Sequence, residues 1–116
     1  MPDETVWRTM RFDFYGELLM PKQREYFDLH YNADLSLAEI AESTGTSRQA
    51  VWDIIRRAEA TLRETESKTG LVRRYGAHRE TLAAMEQSLR RLESLTQDEA
   101  NTLVRALTRQ VQELKG

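Results

Sequence analysis

Residues 35–57 read LSLAEIAESTGTSRQAVWDIIRR, and the spacing of polar and apolar residues here predicts two helices joined by a tight turn. Ser36 and Glu39 form a capping-box pattern, in which a hydroxyl and a carboxylate each satisfy a free backbone N–H at a helix start. Gly45 supplies the left-handed conformation that ends a short helix, and Ser47 can cap the next one. Its apolar positions suit a short helix packed across a longer one: Leu37, Ile40, Ala41, Val51, Ile54 and Ile55. The pattern predicts a helix-turn-helix at about residues 35–63.

The rest of the chain also carries helical signals. Only five Gly and two Pro are present among 116 residues, and apolar residues recur at helical spacing. Before residue 69 we predict four helices, at about Thr5–Leu19, from Pro21 to about Asn32–Asp34, at 36–43 and from Arg48 to about Lys68. The first helix is strongly apolar, with a stripe at Val6, Met10, Phe14 and Leu18 that is widened by Trp7, Phe12 and Tyr15. The fold class we predict is all-α.

Two further helices are predicted beyond a break at Gly70 and Gly76. Apolar residues there repeat with the spacing of a coiled-coil seam, first at Leu82, Met85, Leu89 and Leu92 and then at Val104, Leu107, Val111 and Leu114. The phase of the repeat shifts at Leu95-Thr96, so these helices are expected to form a hairpin. We therefore expect a helix-turn-helix domain at residues 1–68 and a C-terminal helical extension at 69–116, packed on the same domain or on a dimer partner.

Several classes of function are disfavoured by composition. The chain has no cysteine, and neither His30 nor His78 has neighbours at metal-ligand spacing, so both are expected to be structural or surface residues. No nucleophile or phosphate-binding loop accompanies the carboxylates of the motif. We expect no enzymatic activity, no cofactor, no metal and no small-molecule substrate. The N-terminus lacks signal-peptide features and no run is apolar enough for a membrane span, so a cytoplasmic location without membrane contact is expected.

Charge is distributed unevenly although the net charge is only −2. Residues 68–91 carry six basic and two acidic side chains, whereas residues 1–35 carry four basic and seven acidic ones. The basic stretch follows the predicted motif directly. It is either a surface that faces phosphates or an ordinary solvated helix face.

The second helix of the motif is expected to present a polar face opposite its core positions. Arg and Gln can read guanine and adenine in a major groove, and paired Arg side chains can hold phosphates. Asp53 argues mildly against phosphate contact, and Trp52 could stack on a base or anchor a protein interface. Nucleic acid and protein both stay open as ligands. The candidate nucleic-acid-binding residues are Ser47, Arg48, Gln49, Trp52, Arg56, Arg57, Arg73 and Arg74.

Two resemblances become visible from these residues. Residues 19–63 resemble the promoter-reading region four of sigma factors. A closer similarity, to the YlxM family, covers about residues 8–66 and is carried by residues 12–15 (FDFY), 18–19 (LL), 21–24 (PKQR), 36–42 (SLAEIAE) and 47–53 (SRQAVWD). The chain departs from that family in having Trp52 where Tyr is commoner, and in a more Arg-rich stretch after Lys68.

The YlxM resemblance implies a small bacterial helical homodimer, encoded beside the genes of the signal recognition particle, with a regulatory or accessory role in that targeting pathway. The leading hypothesis is therefore a protein that binds DNA or signal recognition particle RNA through its helix-turn-helix. The alternative is a protein-interaction module that uses the same face to dock on the targeting GTPase or on the transcription machinery. We expect the first helix and the C-terminal hairpin to build the dimer interface.

Overall fold

The computed structural model describes residues 3–115, which form six α-helices and two short 3-10 turns and contain no strand. The helices are α1 (Glu4–Tyr15), α2 (Pro21–Tyr31), α3 (Leu37–Thr44), α4 (Arg48–Thr69), α5 (Leu71–Arg91) and α6 (Gln97–Lys115), and the turns are Gly16–Leu18 and Leu92–Ser94. The all-α prediction is confirmed. The chain divides into two compact units, the first ending at Val72 and the second beginning at Arg73.

The helix-turn-helix consists of α3 and α4, and its boundaries follow from the predicted caps. The Glu39 backbone N–H donates to the Ser36 hydroxyl at 3.1 Å, and the Ser36 N–H donates to the Glu39 carboxylate at 3.1 Å. Gly45 adopts φ +70°, a left-handed conformation that costs a non-glycine residue about 1–2 kcal/mol. The Ala50 N–H then donates to the Ser47 hydroxyl at 3.1 Å and starts α4. Local hydrogen bonds therefore fix both ends of the turn.

The core of the first unit is built around α4, against which α1, α2 and α3 pack. Its inward residues are completely buried, as the sequence predicts: Val51, Ile55, Ala58 and Leu62. Ile40 from α3 and Phe27 from α2 are equally enclosed. The Phe27 ring stacks on Phe12, with centroids 4.9 Å apart. Four helices thus share one apolar interior.

The inward face of α1 differs from the predicted stripe. Val6, Phe14 and Leu18 are exposed, and α1 itself ends at Tyr15, before the predicted Leu19. The face turned to the core carries four of the predicted apolar residues, Trp7, Met10, Phe12 and Tyr15, together with the charged Arg11, which is only 8% exposed. Arg11 tolerates burial because its guanidinium pairs with the Glu4 carboxylate. A hydrophobicity pattern assigns such an arginine to solvent, so its burial was not predicted.

The boundary between α4 and α5 lies at Gly70 alone, which adopts φ +64°. Gly76 lies inside α5, so the predicted break there was wrong. A helix interior tolerates one glycine at a cost of about 1 kcal/mol, and the residues on both sides favour helix. Glu66 supports the start of α5: its carboxylate accepts hydrogen bonds from the Val72 N–H at 3.0 Å and from the Tyr15 hydroxyl at 2.6 Å.

The predicted break near Leu95-Thr96 is confirmed in the second unit. The 3-10 turn that follows α5 ends at Ser94, and α6 starts at Gln97. The Thr96 hydroxyl accepts a hydrogen bond from the Glu99 N–H at 3.3 Å and thereby caps the start of α6. Leu107 of the predicted seam is buried within this unit. Four other residues of the seam are exposed: Leu82, Leu89, Val104 and Val111.

Ion pairs hold α1 against α4. The Glu4 carboxylate accepts from both Arg11 and Arg63, the latter at 2.7 Å, and Arg8 lies 3.3 Å from Glu59. The hydrogen bond from Arg11 and the nearby guanidinium charges lower the pKa of Glu4 below its ordinary value of 4.5, against the opposing effect of partial burial. Ionised Glu4 therefore stabilises the folded state above pH 4.5, and this contribution is lost as the pH falls through the lowered pKa.

We predict that Glu4→Gln lowers the free energy of unfolding at about pH 7 and has a smaller effect at an acidic pH below the lowered pKa, where the carboxylate of the parent chain is protonated. Urea denaturation followed by circular dichroism at both pH values measures this. Glu17→Gln, at an exposed carboxylate in the first 3-10 turn, is the matched control and should change stability little at either pH. An equal loss for Glu4→Gln at both pH values would show that the ion pairs are not its source.

Candidate nucleic-acid interface

The first turns of α4 carry most of the candidate residues. Ser47 caps the helix, and Arg48, Gln49 and Trp52 follow on its exposed side. Residues three and four apart are neighbours on a helix surface, so Arg48 and Gln49 both adjoin Trp52. The inward burial of Val51 leaves this face to solvent. The structure thus brings four predicted site residues together at one helix start.

A shallow recess of about 350 Å³ opens between α3 and α4, lined by Leu37, Arg48, Gln49 and Trp52. Trp52 is 37% exposed there. Leu37 packs against the core as predicted, and it also lines this recess, which was not predicted. The available signal was its position as the first residue of α3, where no preceding helical turn covers a side chain.

Arg56 and Arg57 lie one turn further along α4, and both are exposed. Arg56 approaches Asp53 at 3.5 Å, a surface pair that contributes little to stability. This pairing moderates the negative charge that Asp53 places on the face. A guanidinium held so loosely can exchange the carboxylate for a phosphate.

The outward side of α3 is acidic. Glu39 and Glu42 are both exposed on this short helix. The hydrogen bonds that Glu39 accepts from the Ser36 backbone and hydroxyl lower the pKa of its carboxyl, so it stays ionised near neutral pH. The helix-turn-helix therefore presents negative charge on α3 and positive charge on α4.

The remaining candidates, Arg73 and Arg74, lie in the second unit. Both are exposed in the first turns of α5. Tyr75 and Arg79 follow on the same helix, where the Arg79 guanidinium lies 5.9 Å from the Tyr75 ring centroid. This part of α5 concentrates positive charge beside an aromatic ring.

His30 has a structural contact, since its Nδ1 lies 2.8 Å from the Leu35 carbonyl oxygen at the loop before α3. Residues 3–115 contain no group of histidine and carboxylate side chains placed to hold a metal ion. No α-helix in the same range combines the length and hydrophobicity needed to cross a membrane.

The capped α3, the left-handed Gly45 and the long α4 with its exposed polar face define a helix-turn-helix protein. A family model described as "Putative helix-turn-helix protein, YlxM / p13 like" matches residues 3–102, and the chain belongs to this family, UPF0122. It is 41% identical to a UPF0122 protein of Geobacillus kaustophilus over 98% of this chain and 99% of the relative. It is 36% identical to a UPF0122 protein of Thermoanaerobacter sp. (strain X514) over 98% of each. A UPF0122 protein of Clostridium kluyveri is 54% identical over 60% of this chain and 63% of the relative.

We predict that Ser47→Ala lowers the free energy of unfolding by about 0.5–2 kcal/mol, because the Ala50 N–H loses its acceptor at the start of α4. Ser47→Asn is the matched control, since asparagine caps helices equally well and should preserve stability. Urea denaturation of the three proteins measures both effects. If Ser47→Ala were as stable as the parent chain, the cap would not be what orders the candidate face.

Proposed function

We propose that this chain is a cytoplasmic regulatory or accessory protein that binds nucleic acid through its helix-turn-helix. The observation that carries the proposal is that α4 has one buried face and one exposed face. Its inward row is fully buried, and its first turns expose Arg48, Gln49 and Trp52. Guanidinium and amide groups at the start of a recognition helix are the side chains that read base edges. Membership of a helix-turn-helix family supports the same ligand class.

Phosphate contacts are proposed for the arginines that follow. Arg56 and Arg57 extend the exposed face along α4, and Arg73 and Arg74 add positive charge on α5. Such contacts position a protein on nucleic acid and make its affinity depend on salt. The ligand we propose is DNA or the signal recognition particle RNA, because the YlxM resemblance implies a role in that targeting pathway.

A second candidate function is docking of the same face on a protein, either the targeting GTPase or the transcription machinery. The observation that favours it is the recess beside Trp52, because a half-exposed tryptophan next to an apolar side chain is typical of an interface anchor. Salt separates the two functions. A nucleic-acid complex weakens steeply as salt rises, and an apolar protein contact does so only slightly.

We predict that replacing both Arg56 and Arg57 with Ala weakens nucleic-acid binding and reduces the slope of log K against log salt, by roughly 0.7–0.9 for every phosphate that the variant no longer neutralises. Fluorescence anisotropy against labelled signal recognition particle RNA, a promoter-like duplex and a random duplex, each across a salt series, measures both quantities. The matched control replaces Arg105 and Arg109 of α6 with Ala, because it removes the same charge from exposed positions elsewhere.

The same titration tests the ligand class. A tenfold or greater preference for one probe over the random duplex, about 1.4 kcal/mol, supports recognition and identifies its class. If the Arg56 and Arg57 variant binds as tightly as the parent chain, this surface has no part in the mechanism. Equal and weak binding to all three probes favours the protein-docking function instead.

We also propose that the protein is a homodimer. Exposed apolar side chains occur on α1, at Val6 and Phe14, and in the second unit, at Leu82, Leu89 and Val104. Those of the second unit follow the helical repeat that predicts a coiled-coil seam. Exposed apolar rows of this kind are typical of surfaces that pair with another chain.

We predict a dimer at micromolar concentration, and its weakening when Leu82 and Leu89 are both replaced with Gln, since each substitution removes apolar area from the proposed interface. Sedimentation equilibrium measures the dissociation constant. The matched control replaces Ala77 and Ala84 with Gln, because these residues have the same seven-residue spacing, are exposed and lie on another face of α5. A parent chain that sediments as a stable monomer would disprove the proposal.

A further inference from the structure

We infer that the recess at the start of α4 holds an unpaired nucleobase, with Trp52 as its stacking surface, so that the ligand is a loop or single strand and not a continuous duplex. This inference rests on the proposed function, because it names the form of nucleic acid that the same face would select. It is carried by the shape of the recess, the order of side chains along α4 and the charge on α3.

The recess is shallow, with a volume at the lower end of the range of small-ligand sites. Its volume of about 350 Å³ lies within the range of roughly 300–1,000 Å³ that such sites occupy. Its lining is almost entirely apolar and comes from Leu37, Trp52 and the aliphatic parts of Arg48 and Gln49. An aromatic side chain can stack on any exposed base, whereas the bases of a duplex already stack on each other.

The order of side chains on α4 fits a strand that crosses the recess. Arg48, Trp52 and Arg56 follow each other at four-residue spacing and therefore form one row on the helix surface. The row places a cation on each side of the aromatic ring. Gln49 adjoins Trp52 and offers both a donor and an acceptor, which is what the free Watson–Crick edge of an unpaired base requires.

The charge on α3 opposes a duplex. In helix-turn-helix complexes with DNA, the first helix crosses the phosphate backbone. Here that helix exposes Glu39 and Glu42, whose carboxylates repel phosphates. Residues 36–57 contain three acidic and three basic side chains, so the motif has no excess positive charge with which to hold two strands. One strand that follows α4 would meet α3 only at Leu37, in the recess.

The test compares four labelled probes: an RNA hairpin with a short unpaired loop, a blunt RNA duplex of the same stem, and the DNA equivalents of both. Anisotropy of the full chain gives the affinities. A Trp7→Phe version leaves Trp52 as the only tryptophan, so quenching of its emission reports stacking directly. We expect each hairpin that binds to bind at least tenfold more tightly than its duplex and to quench Trp52.

Two substitutions extend the test to the side chain itself. Trp52→Leu should weaken hairpin binding about tenfold, while Trp52→Phe, which keeps an aromatic ring, should retain most of the affinity. Met20→Ala is the control, because it removes a large exposed apolar side chain outside both the helix-turn-helix and the proposed dimer surface, and it should leave binding unchanged. Circular dichroism confirms that each variant is folded.

The outcomes separate the inference from the proposed function. Equal binding of hairpin and duplex without quenching of Trp52 overturns the inference and leaves nucleic-acid binding in place. Absence of binding to all four probes overturns both and favours protein docking on the recess. Preference for both hairpins supports recognition of the base alone, and preference for the RNA hairpin over the DNA hairpin supports recognition of the base together with its ribose.

Discussion

Burial of one row of α4 is the interaction on which the first unit depends. Three other helices cover this row, which consists of Val51, Ile55, Ala58 and Leu62. Such side chains contribute roughly 1.5–3 kcal/mol each when large and apolar, so the rotation of α4 about its axis is strongly fixed. Since a helix repeats every 3.6 residues, fixing one row fixes the opposite one. The face that meets a ligand is therefore set by the core and held with little freedom to reorient.

The agreement between sequence and structure was best where short-range chemistry decides the outcome. The ends of α3 and α4 depend on hydrogen bonds between Ser36 and Glu39 and between Ser47 and Ala50, all within three residues, and on the conformation of Gly45. The break before α6 depends in the same way on Thr96 and Glu99. Residue types at fixed spacing are sufficient for such features. The exposed side of α4 followed from the same periodicity.

Features that depend on distant partners were not predictable in this way. Arg11 lies buried against the core although it is charged, and its partner Glu4 also pairs with Arg63 of α4, 59 residues away, which no local pattern shows. The recess beside Trp52 exists because Leu37 from another helix lies next to it. The sequence predicted a break at Gly76 because glycine commonly ends helices. A single glycine is also tolerated inside a helix, and residue type alone does not distinguish the two positions. Tertiary packing decided the position of Leu37, whereas at Gly76 the helix preference of the residues on both sides outweighed the glycine.

The contacts of Glu66 have a consequence for how the chain folds. Starting a helix is unfavourable because several backbone dihedrals must be ordered before the first hydrogen bond forms. Here the acceptor for the Val72 N–H is already in place, since the Glu66 carboxylate is positioned by α4 and by the hydroxyl of Tyr15 on α1. The Glu66 carboxylate thus offsets part of the cost of starting α5 once the first unit has formed. The first turn of α5 is thereby coupled to the stability of the first unit.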